Sequence, residues 1–125
     1  MTGRLRVLVV DDSALMRKLI PKILEQDESI EVIGTAMDGY FGLKKIEELH
    51  PQVVTLDLEM PGLNGIDTLR AVMRKHPIPV IVVSSHTTAG ASVTLKALVV
   101  ALAVASVRSA VVRPLPLSKT WTLNV

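Results

Sequence analysis

Four short apolar runs, each parted from the next by a stretch of helical periodicity, constrain this chain more than anything else in it. The runs are LRVLVVDD, IEVIGTA, QVVTLD and IPVIVVSS. Near-continuous apolar residues over that length fit strands buried on both faces. Between them lie DSALMRKLIPKILEQD, DGYFGLKKIEELH and IDTLRAVMRKH. In the first, Leu15, Leu19, Ile23 and Leu24 recur at helical spacing, and in the second Phe41, Ile46 and Leu49 form an apolar stripe. Ser13 is placed to cap the first helix, and Pro21 inside it predicts a local bend. GASVTLKALVVALAVAS predicts the start of a fourth helix.

Strands alternating with helices predict an α/β fold, a doubly wound and mostly parallel sheet covered on both faces. In such a sheet the strand C-termini share one edge, where ligands bind. That edge would gather Asp11, Asp12, Asp57 and Ser84, the polar residues that end strands one, three and four.

Composition narrows the function classes. At 125 residues the chain fits one domain with a modest core. With one Phe, one Tyr and one Trp, that core must be aliphatic. The absence of cysteine excludes disulfides and thiolate chemistry and suits the cytoplasm. MTGRLRVLVVDD reaches an acidic pair too early for a signal peptide, and the run from Ala97 to Val107, closed by Arg108, is too short to cross a membrane. The net charge of +2 hides an asymmetry, because all 12 acidic residues fall within 1–67. Apart from the adjacent Arg74 and Lys75, the basic residues beyond are scattered singly through apolar sequence, which argues against direct nucleic-acid binding.

Three carboxylates in one pocket repel one another, and a divalent cation relieves that most simply. Mg²⁺ takes oxygen ligands and keeps several waters, so Asp11, Asp12 and Asp57 with one backbone carbonyl, that of Glu59, would suffice. Capping alone would account for one aspartate of the first pair but not for Asp57 on another strand. Such a pocket suits phosphoryl transfer, with a carboxylate as nucleophile and the hydroxyl of Ser84 as hydrogen-bond donor.

The same residues carry a family resemblance. VLVVDDSALMRKLI, LDLEMPGLNG and VIVVSSHTTAGASVTLKAL resemble the phosphoacceptor receiver domain of response regulators, from about Arg6 to Leu98. DDSALMR, EMPGLNGIDTL and VSSHT are most similar to the receiver of the chemotaxis protein-glutamate methylesterase. The resemblance implies a flavodoxin-like receiver with a five-stranded sheet, taking a phosphoryl group on Asp57 from a histidine kinase. It further implies Mg²⁺ held directly by Asp12 and Asp57 and by the Glu59 carbonyl, with Asp11 acting mainly through metal-bound water. Ser84 takes the switch hydroxyl position. The family's esterase activity resides in a separate C-terminal effector domain, which is not expected within these residues.

Residues 1–98 therefore read as the receiver core and 99–125 as an atypical segment. Without gaps, Ala105 stands where the switch aromatic belongs and Arg108 where the lysine belongs. Alternatively SAVVRP forms a fifth strand near 109–113, and Arg113 replaces the lysine. That alternative is preferred for its Val111, Val112 and Pro114 context. PLPLSKTWTLNV shows no stripe for a fifth helix, which would leave one sheet face partly bare unless Trp121 patches it. Two rival functions follow: a switching-impaired or non-signalling receiver with a purely interaction role, and a small metal-dependent phosphohydrolase with His86 as its acid-base candidate.

Overall fold

In a computed structural model of the protein, the described residues are 3–58, 60, 64–84, 102–104 and 120–124. They form β1 (Leu5–Val10), α1 (Ala14–Leu24), β2 (Ile30–Ala36), α2 (Gly39–Leu49), β3 (Val53–Asp57), α3 (Gly65–Lys75), β4 (Val80–Ser84) and β5 (Thr120–Asn124). The strands lie in the order β2-β1-β3-β4-β5, every pair parallel. This is the flavodoxin-like order, with its switch point between β1 and β3.

Alternation along the central strands divides the core in two. Leu5, Val7 and Val9 of β1 join Val53 and Ile81 beneath Met16, Ile20 and Leu24 of α1. Leu8 and Val10 turn the other way, with Val54, Leu56, Val80 and Val82, to meet Ile46 of α2 and Val72 of α3. A period of two in strands buried on both sides leaves no polar face, which is why these runs read as continuously apolar. β2 lies at one edge of the sheet, and only its end residues are fully buried.

Each helix starts on a side-chain cap. Ser13 accepts a hydrogen bond from the N–H of Met16, Asp38 from that of Phe41, and Asn64 from that of Asp67. Such caps satisfy N–H groups that the first turn leaves unpaired, each contributing about 1 kcal/mol. α1 continues through Pro21 to Leu24. α2 ends on His50 in the left-handed conformation, φ 49°. There the Arg6 guanidinium donates to the carbonyls of Leu49 and His50.

The four strands legible in the sequence are in place, and the sheet holds a further strand that the sequence reading did not single out. The stretch 109–113 lies outside the described residues, and the strand seated against β4 is Thr120–Asn124. Thr120, Trp121 and Thr122 are strong strand formers, which favours a strand here despite the preceding prolines. Trp121 is thus part of an edge strand, in register with Ile81. The α1 face also carries helical residues 102–104, whose Val104 is fully buried against the α1 core cluster.

Candidate acidic site at the sheet switch point

Register brings the acidic residues together. Val10 pairs with Leu56, so Asp11 and Asp57, each one step further, sit at the same level on neighbouring strands. Because β2 runs off to one side of β1 and β4 to the other side of β3, the loops after β1 and β3 diverge and leave a crevice between them. Asp12 completes the group. Carboxylate oxygens of Asp11, Asp12 and Asp57 all lie within 4.8 Å of one another.

The main chain holds this arrangement from several directions. Asp11 is buried, and its N–H donates to the Ala36 carbonyl at 3.0 Å. Its Oδ1 accepts from the N–H of Ser13 at 2.9 Å, so the carboxylate both belongs to the acidic group and fixes the entry to α1. Nη1 of Arg17 donates to the Asp11 carbonyl at 2.9 Å. Side chains on a helix lean toward its N-terminus, which lets a residue in the first turn reach back to the strand end. The sequence marked DDSALMR as a motif without assigning that arginine a task.

Gly65 was also missed, and it shapes the other wall. A Cβ built there would come within 2.3 Å of the Leu58 Cα and 2.7 Å of the Asp57 carbonyl oxygen. The N–H of Gly65 donates to the Leu58 carbonyl at 3.2 Å, closing the start of α3 onto the residues just after Asp57. Only glycine allows this approach. Met60, within the same loop, is buried in the core beneath α2 and α3.

The remaining sequence candidates are placed as follows. Ser84 ends β4 with its backbone opposite Asn124, one residue beyond the Asp57–Val83 pair. Glu59, His86, Ala105, Arg108 and Arg113 lie outside the described residues.

Two unit charges 4 Å apart near a protein surface repel by about 4 kcal/mol, so three carboxylates at this spacing call for positive charge among them. The donors are hard oxygens, the kind Mg²⁺ prefers. Ligands about 2.1 Å from such an ion stand roughly 3 to 4 Å from one another. Carboxylate oxygens that all lie within 4.8 Å of one another suit such an ion, bound directly or through an intervening water. The residues fit a divalent cation.

A parallel 2-1-3-4-5 sheet with an acidic crevice at its switch point defines the receiver class of α/β proteins. Comparison with known proteins makes this specific: the chain belongs to the response regulator receiver domain family, matched over residues 7–103. A protein-glutamate methylesterase/protein-glutamine glutaminase 2 from Koribacter versatilis is 66% identical over 97 residues, covering 78% of this chain and 27% of that protein. A protein-glutamate methylesterase/protein-glutamine glutaminase from Pyrococcus abyssi is 52% identical over 99 residues, covering 78% and 27%. The chain thus spans about a quarter of the length of these relatives.

Among solved structures, the response regulator domain of Thermotoga maritima CheB is similar at 48% identity and a TM-score of 0.65, over 76% of this chain and 71% of that one. The isolated REC domain of RcsB from Salmonella enterica serovar Typhimurium gives 26% identity and a TM-score of 0.63, over 79% and 72%. This is a receiver of the CheB type.

Proposed function

We propose that this chain is the phosphoacceptor of a chemotaxis-type two-component system, taking a phosphoryl group on Asp57 from a phosphohistidine of a partner kinase. The carrying observation is the convergence of Asp11, Asp12 and Asp57 at the switch point, with Asp57 at the end of a strand buried up to that residue. A carboxylate so held is aimed without needing a base to activate it.

In the step itself an oxygen of Asp57 attacks phosphorus in line. The P–N bond breaks, the imidazole nitrogen keeps the electron pair and takes up a proton, and an acyl phosphate remains on Asp57. Asp11, Asp12 and Asp57, with the Glu59 carbonyl, would hold Mg²⁺. When bound, that ion supplies positive charge for the carboxylates and the phosphoryl oxygens. Ser84 would donate its hydroxyl to a phosphoryl oxygen, and Arg113 or Arg108 would supply the cation that the family places as lysine.

The output partner would be a C-terminal effector domain like that implied by the protein-glutamate methylesterase relatives, and the setting the cytoplasm. Among the described residues, no helix is long and apolar enough to cross a membrane. Intact-mass measurement after incubation with Mg²⁺ and a small phosphodonor tests the reading. One phosphoryl group on the wild type, absent from Asp57→Asn, is expected. Steady turnover of phosphate esters without a stable adduct would favour the phosphohydrolase alternative and sink this one.

A further inference from the structure

Where β2 passes into α2, three large apolar side chains crowd one turn. Met37 follows β2, and Tyr40 and Phe41 open α2; they are 53%, 65% and 49% exposed. The Asp38 cap fixes the main chain beneath Phe41, so the display is built rather than frayed. Beside them lies an open groove of about 250 Å³ lined by Arg17, Thr35, Ala36, Met37, Phe41 and Lys45.

The lining is apolar with a cation at each side, Arg17 from α1 and Lys45 from α2, and it includes no carboxylate among the described residues. That is unexpected on the acidic half of the chain, since residues 1–67 hold every aspartate and glutamate. Volume narrows the occupant. Small-molecule sites run to roughly 300–1,000 Å³, whereas this groove suits one or two large side chains. Charge narrows it further. Anionic membrane surfaces are recognised by clusters of about four to eight basic residues, and nucleic acid by extended basic tracks. Two cations flanking an apolar floor match a short acidic segment with an apolar anchor.

We propose that the groove between α1 and the start of α2 docks an acidic protein segment whose leucine or phenylalanine packs against Met37 and Phe41 while its carboxylates meet Arg17 and Lys45. The surface adjoins the acidic crevice through Arg17 and Ala36, both bonded to the Asp11 main chain, but it takes a different occupant and does not depend on the phosphoacceptor reading.

The test is an NMR titration of the ¹⁵N-labelled chain with a capped peptide carrying a central leucine-phenylalanine pair flanked by glutamates. Saturable shifts are expected at the amides of Thr35, Ala36, Met37, Phe41 and Lys45. Replacing the peptide's glutamates by glutamines, or Lys45→Glu in the protein, should weaken binding about tenfold or more. Phe41→Ser should weaken it comparably, and Lys75→Glu at the end of α3 should leave it unchanged. Equal binding of the glutamine peptide, equal binding by Lys45→Glu, shifts centred elsewhere, or no shift at all would overturn the proposal. So would co-sedimentation with vesicles of phosphatidylcholine and phosphatidylglycerol by a protein that ignores the peptide.

Discussion

The segment from Leu5 to Lys75 and the segment from 102 to 124 contribute to one sheet and one core by different means. In the first, every strand leads into a helix with its own cap, and each helix buries a stripe against the strand beside it. In the second, the described residues contribute helical positions 102–104, with Val104 buried, and the strand Thr120–Asn124. The three clustered carboxylates, Asp11, Asp12 and Asp57, all belong to the first.

The sharpest way to break this comparison is at Val104. Because it is fully buried, Val104→Asp should place an unpaired carboxylate in the α1-side core and destabilise by more than about 3 kcal/mol, read by urea unfolding. Leu102, 69% exposed on the same helical piece, is its control, and Leu102→Asp should change stability by less than about 0.5 kcal/mol. Equal effects would mean that this piece is not packed as described.

Gly65→Ala ranks next. The added Cβ meets main-chain atoms of Asp57 and Leu58, which cannot rotate away, so a cost of about 2–3 kcal/mol is expected. Phosphoryl uptake should fall more than that stability loss explains, since the atoms displaced border the proposed nucleophile. Ser13→Ala should cost about 1 kcal/mol by removing the α1 cap, with the acidic site otherwise intact. The smallest effect is instructive for its sign. Asp12→Asn removes one charge from the group of three, so without divalent cations Tm should rise slightly, and the further rise on adding Mg²⁺ should shrink. A lower Tm in metal-free buffer would show that the carboxylates are not repelling one another.

Much of this was legible in the chain because it rests on local, periodic signals. The apolar runs announced β1 to β4, Ser13 announced the start of α1, and strand-end aspartates announced the crevice once the sheet was inferred to be parallel. What escaped notice rests on contacts between distant residues. Gly65 is one glycine in a loop until α3 is seen against Leu58. Arg17 is one basic residue on an amphipathic helix until its guanidinium is seen on the Asp11 carbonyl. β5 escaped because a five-residue edge strand after two prolines has too few alternations to stand out, and its identity depends on pairing with β4. The extra residue of β2 between Val32 and Gly34, where the register to β1 slips, left no mark in the sequence either.

The most direct measurement is to phosphorylate the chain with a small phosphodonor and Mg²⁺, reduce the adduct with borohydride, and locate the product by tandem mass spectrometry. An aspartyl phosphate is reduced to homoserine, so the modified position is read from the peptide itself. Homoserine at position 57 alone is the predicted result. Homoserine at 11 or 12, or a chain that binds Mg²⁺ yet yields none, would contradict the assignment of Asp57 as the acceptor.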